Sequence, residues 1–157
     1  MDSVQKGRLA EARVTVDLLN QGAEVFIPAF GNAKCDLVAV YQDQAMKIEV
    51  KHASRYRYGS YEVSLRQIRP NRSKMITKLF NAGNSDILAV YIGPLDRVVF
   101  LLSSGFHGRT SVNLNSRLLD SLTFTEVIRA HAAGAALCPE NKDGLIPGGS
   151  APLRSAA

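Results

Sequence analysis

The amino-acid sequence predicts an α/β domain in which a central mixed sheet is flanked by helices. Two observations support this class: an amphipathic helix pattern precedes several short alternating strands, and further apolar strands follow them. The predicted order is helix, three or four strands, helix, two strands, helix. A chain of 157 residues can bury one core, so we expect one domain over residues 1–137. A flexible tail rich in Gly, Pro, Ser and Ala is expected over residues 138–157.

The first helix is predicted to run from Ser3, a residue type that caps helices, to Gln21, with Gly22 as its stop. Its buried side is expected to carry Leu9, Val16 and Leu19, with Val14 and Leu18 widening the apolar stripe. Glu11 lies on the Val14–Leu18 edge of this stripe, where a carboxylate is costly unless a cation compensates it. A short strand over residues 23–28 follows the helix.

Two alternating strands form a predicted hairpin. Residues 35–41 and 46–52 both show β-branched, partly alternating patterns, and the polar residues 42–45 form the turn between them. One face of this hairpin is apolar and is expected to contact the core. It carries Leu37, Ala39, Tyr41, Met46, Ile48 and Val50.

The other face of the hairpin collects charged side chains. We expect Tyr41 to pair with Met46 across the turn. This register places Asp36 opposite Lys51, with Glu49 one diagonal step away, so that all three side chains project from the same face. A slip by one residue would bury the acids among apolar groups, so the face on which they lie is well specified.

Two carboxylates and an amine on one face suit a hydrated Mg²⁺ ion at a phosphate. Mg²⁺ prefers hard oxygen ligands, and the side chains of Asp36 and Glu49 and the carbonyl of Val50 offer three. Lys51 can hold or help deprotonate the attacking water and stabilise the pentavalent phosphorus. Glu11 would add a third carboxylate if the first helix packs on that face. The alternative is an ordinary exposed ion pair, because an acid-x-Lys tripeptide occurs by chance about once in a chain this long.

The remaining elements follow from the same periodicities. Residues 61–66 alternate as a third strand. Pro70 is placed to open a second helix that ends before Gly83. The inner side of that helix would carry Met75, Ile76, Leu79 and Phe80. Two apolar strands and a last helix are predicted over residues 87–92, 98–102 and 123–136.

Basic residues predict an anionic partner. Lys and Arg number 19 against 14 Asp and Glu, a net charge of +5 at pH 7, and the pI is about 9.4. After the hairpin, arginines interleave with tyrosines as in a phosphate-gripping loop, although a solvated basic loop is the alternative. The residues expected to bind duplex DNA are Lys6, Arg8, Arg55, Arg57, Arg66, Arg69, Arg72, Lys74 and Lys78. A second, weaker polar cluster consists of Arg109, Asn113, Asn115 and Arg117.

The sequence predicts no membrane segment. No apolar run reaches a membrane-spanning length, and the first residues lack a signal-peptide pattern. Cys35 and Cys138 are far apart and lack a metal-type spacing. We therefore expect reduced thiols and a cytoplasmic protein.

A helix with Glu11, then Asp36, then Glu49-Val50-Lys51 resembles the PD-(D/E)XK nuclease superfamily, over roughly residues 6–104. The resemblance implies a restriction-endonuclease-like αβββαβ core and a Mg²⁺ ion that Mn²⁺ can replace. It implies Asp36 and Glu49 as metal ligands, Lys51 as the catalytic lysine and Glu11 as the helix acid. It also draws attention to Gln67, because many members place a glutamine near the attacking water. Cys35 stands where the nominal motif has proline.

Two branches of the superfamily are similar to parts of the chain. Residues 85–91 and 96–102 look like homing endonucleases associated with group I introns in cyanobacteria and phages, whereas Lys6-Gly7-Arg8 through Glu11 is similar to archaeal Holliday-junction resolvases. The first branch implies a metal-dependent endodeoxyribonuclease with a long site in duplex DNA. Cutting both strands needs two active sites, so we expect a homodimer or homotetramer. A junction resolvase and a non-catalytic DNA-binding module of the same fold are the alternatives.

Overall fold

A computed structural model describes residues 1–30, 33–70, 75–115, 119 and 123–134 of the chain. The predicted tail lies outside the described residues, as do Arg72, Lys74 and Arg117. The helices are α1 Ser3–Asn20 and α2 Phe124–Ala132. The strands are β1 Glu24–Phe26, β2 Leu37–Tyr41, β3 Gln44–Ala53, β4 Arg55–Arg57, β5 Ser60–Ser64, β6 Gln67–Pro70, β7 Met75–Lys78, β8 Ile87–Ile92, β9 Arg97–Leu102 and β10 Ser111–Asn115. Neither helix in this part of the chain is long and apolar enough to cross a membrane.

The central sheet has five strands in the order β1-β2-β3-β8-β9. Strands β3 and β8 are parallel, and the other neighbours in this sheet are antiparallel. Helices α1 and α2 cover one face of the sheet, where they share a hydrophobic core with β2, β3, β8 and β9. The predicted fold class, a mixed sheet with flanking helices, is therefore confirmed.

The N-cap of helix α1 lies one residue earlier than predicted. Asp2 is the N-cap: its Oδ1 accepts a hydrogen bond from the amide of Gln5 at 2.8 Å. The side chain of Gln5 in turn accepts from the amide of Asp2 at 3.0 Å. This reciprocal capping box satisfies two amides that the helix itself cannot pair. Ser3, the predicted cap, is the first helical residue.

The buried side of α1 differs from the predicted one. Ala10, Val14 and Leu18 repeat every four residues and are fully buried, whereas Val16 is 50% exposed and Leu19 is 54% exposed. Val16 follows Val14 by two residues, which is roughly 200° around a helix, so both cannot face the same core. The helix therefore packs through the stripe around Val14 and Leu18, which was predicted only as the edge of its buried side.

One glycine inside α1 and one after its end give a matched test of backbone conformation. Gly22, after the helix end, has φ of +82°, and its amide donates to Leu19 at 3.0 Å. Gly22→Ala should lower the free energy of unfolding by about 1 kcal/mol, because a Cβ disfavours this left-handed conformation. Gly7, inside the helix, has open space where a Cβ would stand. Gly7→Ala should therefore raise that free energy by about 0.5–1 kcal/mol. Urea unfolding of both variants measures the two shifts, and equal signs would contradict the expectation.

The β2–β3 hairpin is tighter than predicted. Tyr41 pairs with Gln44 rather than with Met46. The two turn residues, Gln42 and Asp43, have φ of +48° and +61°, which is the backbone of a two-residue hairpin turn. The register therefore differs from the predicted one by two residues. Because side chains alternate with a period of two, this shift changes the partners and preserves the faces.

Strands β6 and β7, residues 67–70 and 75–78, pair in a region where a helix was predicted. Strand β6 pairs with β7 in an antiparallel register, from Gln67 opposite Lys78 to Pro70 opposite Met75. The predicted helix is wrong: Phe80 is buried, but Leu79 is 55% exposed. The β-branched residues in these strands favour extended backbone. Proline is also tolerated on an edge strand, so Pro70, the predicted start of the helix, is compatible with β6 of this two-stranded sheet.

A second sheet lies on the other face of the central sheet. It has three antiparallel strands in the order β10-β5-β4. Its inward side chains share a hydrophobic core with Leu88 and Val90 of the central sheet. Residues 61–66, predicted as a third strand beside the hairpin, thus belong mainly to this second sheet. Strand β10 is absent from the predicted order, since its Asn113 and Asn115 were predicted only as members of a polar cluster.

Candidate active site

Asp36 is attached to β3 by its backbone and its side chain. Its amide donates a hydrogen bond to the carbonyl of Ile48 at 2.9 Å. Its carboxylate Oδ2 accepts from the amide of Val50 at 2.7 Å. These two bonds fix the carboxylate immediately before β2 begins. Continuing the pair Leu37–Ile48 by one step places Asp36 opposite Glu49, not opposite Lys51 as predicted.

Glu49 and Lys51 form an ion pair along one face of β3. Lys51 Nζ donates to Glu49 Oε1 at 2.7 Å, and the two side chains are 19% and 5% exposed respectively. The alternative of an exposed surface pair therefore does not describe these residues. A carboxylate withdrawn this far from water needs a compensating cation, and the ammonium of Lys51 is one.

Glu11 reaches the site from the other side of the sheet. Helix α1 packs on the apolar face that carries Ile48 and Val50, so it does not share the face of Glu49 and Lys51. Glu11 nevertheless lies near Asp36, since both line one cavity of about 240 Å³. Burial raises the pKa of Glu11 above its ordinary value, repulsion by Asp36 raises it further, and Arg8 lowers it.

The electrostatics favour a cation beside Asp36. Burial raises the pKa of this carboxyl above its ordinary value, and Glu49 adds to the rise. The amide of Val50 and the charge of Lys51 act in the opposite direction. A bound cation would favour the ionised form of both acids.

The donor set fits an ion that needs few protein ligands. Among the described residues, no group of three His, Cys, Asp or Glu side chains meets the geometry for holding a metal. Mg²⁺ is usually held by one or two carboxylates and keeps several waters, so Asp36 and Glu49 suffice. The predicted roles of Glu11 and of the Val50 carbonyl as further ligands stay predictions.

A sequence model of the PD-(D/E)XK endonuclease family matches residues 1–119. The chain belongs to this family. A solved structure, the bacterial homing endonuclease I-Ssp6803I, superimposes with a TM-score of 0.69 at 19% identity. The match covers 85% of this chain and 97% of that one. No curated protein is significantly similar in sequence. The chain is therefore a nuclease with the fold of that homing endonuclease.

The motif of this PD-(D/E)XK endonuclease departs from the nominal pattern at one position. Cys35 stands before Asp36, and it lines the same cavity as Glu11. Burial raises the pKa of its thiol above the ordinary value, with a further rise from the Asp36 carboxylate. With cysteine in place of the proline of the nominal pattern, the amide and the carboxylate of Asp36 are both hydrogen-bonded to β3.

The glutamine that is predicted to be catalytic, Gln67, has its backbone placed. Gln67 is the first residue of β6, opposite Lys78. The position of its side chain lies outside what the structure describes, so its role near the attacking water stays a prediction. Arg69 is likewise placed by its backbone within β6 alone.

The basic residues of the endonuclease occupy several regions. Lys6 lies close enough to His52 to contribute, after burial, to lowering the pKa of that imidazole, and Arg8 acts on Glu11. Four further residues that were predicted to bind DNA have exposed side chains: Arg55, Arg57, Arg66 and Lys78. The sequence predicted a loop of interleaved arginines and tyrosines here, but not the hairpin tip between β4 and β5, where Tyr58 is 96% exposed. Its φ of +49° beside Gly59 marks a two-residue turn.

Proposed function

We propose that the chain is a divalent-metal-dependent endodeoxyribonuclease that hydrolyses phosphodiester bonds in duplex DNA, of the homing type with a long recognition site. The observation that carries the proposal is the buried Lys51–Glu49 ion pair next to an Asp36 carboxylate that is attached to the same strand. A purely structural strand has no need of three ionisable groups in one partly buried place.

Each group of the site has a role in this reaction. Asp36 and Glu49 would hold Mg²⁺ or Mn²⁺, with Glu11 and the Val50 carbonyl completing or orienting the site. A divalent ion there would neutralise charge on the phosphate and lower the pKa of a neighbouring water. Lys51 would hold the attacking water and donate to a phosphate oxygen as negative charge builds. Gln67 would orient the same water.

Plasmid cleavage tests the proposal. The purified chain should nick or linearise supercoiled plasmid in Mg²⁺ or Mn²⁺ and stop when EDTA is added, because the acids need the ion to bind phosphate. An Asp36→Ala variant under identical conditions is the control for contaminating nucleases. Plasmid binding by both proteins without metal-dependent cleavage by either would favour the non-catalytic DNA-binding module.

A junction resolvase remains the second candidate. Lys6, Arg8 and Glu11 all belong to α1, in the stretch that is similar to archaeal resolvases, and Arg8 is close enough to Glu11 to lower its pKa. Cleavage of a four-way junction should be compared with cleavage of a linear duplex of the same arms. The homing-type proposal requires the linear duplex to be cut at a defined site, and a strong preference for the junction would replace it with the resolvase.

We also propose that the enzyme acts as a homodimer or homotetramer, since cleavage of both strands requires two sites. Light scattering of the purified chain should give a mass of two or four subunits. The mass of one chain, 17.1 kDa, would contradict this assembly.

A further inference from the structure

The outward face of the second sheet is entirely polar. Pairing places Arg55, Glu62 and Asn113 in one row across β4, β5 and β10, and Arg57, Ser60 and Asn115 in the next. A third row, on β5 and β10, consists of Ser64 and Ser111. None of these eight side chains is buried. The structure thus unites the arginine-tyrosine stretch with the weaker asparagine cluster, which are far apart in the sequence.

The opposite face of the same sheet holds it firmly on the molecule. Val63, Leu114 and Val112 are 0%, 0% and 7% exposed and pack toward the central sheet. Tyr61 is 8% exposed and packs against Tyr56, with ring centroids 5.0 Å apart. Strict alternation therefore separates an anchoring face from a presenting face. The presenting face is backed by a packed core rather than by a loop.

The side chains on this face have the chemistry that reads bases. Arginine makes paired hydrogen bonds to guanine, asparagine to adenine, and glutamate accepts from cytosine, all in the major groove. Serine hydroxyls serve as donor or acceptor to either kind of base. A face meant only for solubility has no need of this mixture, and the face contains no lysine.

The dimensions of the sheet suit the major groove. Neighbouring strands are about 4.8 Å apart, so the axes of the outer strands are about 10 Å apart. The major groove is about 12 Å wide and admits a β-ribbon. The β4–β5 hairpin, with its two-residue turn, is such a ribbon.

The depth of the second sheet sets how far its outward face lies from the acids of the candidate active site. Glu49 and Lys51 are aligned with Leu88 and Val90, so they project from the side of the central sheet that the second sheet covers. Packed sheets lie about 10 Å apart, and the major groove is about 8.5 Å deep. When the outward face meets base edges, the phosphate rim of the groove is therefore about level with the acids.

We propose that the outward face of strands β4, β5 and β10 enters the major groove of duplex DNA and determines which sequence is cut. This inference rests on the proposed nuclease function. Asn113, Glu62 and Arg55 form the central row of contacts, and Asn115, Ser60 and Arg57 form the row nearest the hairpin tip. Lys6, which lies on α1, contacts phosphate and reads no base.

Sequencing of cleaved ends from a randomised duplex library tests this inference. The wild-type chain should yield a preferred sequence in Mg²⁺. Asn113→Ala and Arg55→Ala should each lose about 5- to 150-fold of the preference at one or two base pairs and keep it elsewhere. Asn20→Ala, an exposed asparagine on α1, is the matched control and should keep the full preference. Lys6→Ala should reduce cleavage of all sequences without changing the preference.

The outcomes separate this inference from the proposed function. If the wild type cleaves with a preference that neither Asn113→Ala nor Arg55→Ala alters, the reading face is refuted and the nuclease stands. The same holds if the wild type cleaves without any preference. If the wild type cleaves nothing in any divalent metal, both proposals fall. Unchanged melting temperatures would show that the variants fold, as expected for exposed side chains.

Discussion

Asp36→Asn and Glu49→Gln should each reduce DNA cleavage by about a thousandfold or more. Both variants keep the size of the side chain and remove a negative charge that is proposed to hold a divalent ion. Loss of one preorganised electrostatic group at a reacting phosphate has effects of this order. Single-turnover cleavage of a plasmid in Mg²⁺ measures the change. Asp43→Asn, in the turn of the same hairpin, is the matched control and should cleave at the wild-type rate.

The stability of Asp36→Asn distinguishes a lost charge from a lost fold. The charge at position 36 is partly buried and faces a second carboxylate, so it opposes folding when no cation is bound. Without metal, the variant should melt at the wild-type temperature or above. Adding Mg²⁺ should raise the melting temperature of the wild type by mass action, and of the variant much less. A variant that melts well below the wild type would show that its inactivity reflects unfolding.

Lys51→Met should affect both stability and catalysis. Methionine keeps most of the packing of the lysine stem and removes the ammonium that neutralises a nearly buried Glu49. Breaking such a pair costs about 3 kcal/mol of unfolding free energy. Cleavage should fall by at least about a hundredfold, because the group that is proposed to hold the attacking water is lost. Lys47→Met is the control, since Lys47 is exposed and lies four residues before Lys51 on the same face of β3.

A double variant shows whether the ion pair explains the loss of stability. Glu49→Gln combined with Lys51→Met removes both charges of the pair, so position 49 is not left as a carboxylate without its ammonium. This variant should recover at least about half of the stability lost in Lys51→Met, although it stays inactive. Urea unfolding of the two single variants and the double variant gives the coupling energy. Additive losses would show that the ammonium does not act through Glu49.

The face of the β2–β3 hairpin on which the acids lie was predictable because it depends only on whether the register shift is even or odd. The predicted partner of Tyr41 was Met46, and its partner in the structure is Gln44. The acids stay on one face because the register differs by two residues, an even number. The partner of Asp36 was not predictable in this way. It depends on whether Gln42 and Asp43 adopt a left-handed backbone, which neither residue type requires.

The errors elsewhere have separate causes. Residues 75–80 have apolar spacings that fit a helix, but pairing of β6 with β7 overrides that local pattern. Val16 and Leu19 are apolar without being buried, which a hydrophobic pattern alone cannot show. Strand β10 could have been found, because residues 111–115 alternate between polar and apolar side chains.

The strict division of the second sheet into two faces has a consequence for how such an enzyme can diversify. Substitutions at outward positions such as Asn113 alter contacts with a ligand and leave the packing of Val63 and Leu114 intact. A lineage could therefore acquire new targets through a handful of surface codons while its interior is conserved. Directed evolution of altered cleavage preference should accordingly begin with a library restricted to those outward codons.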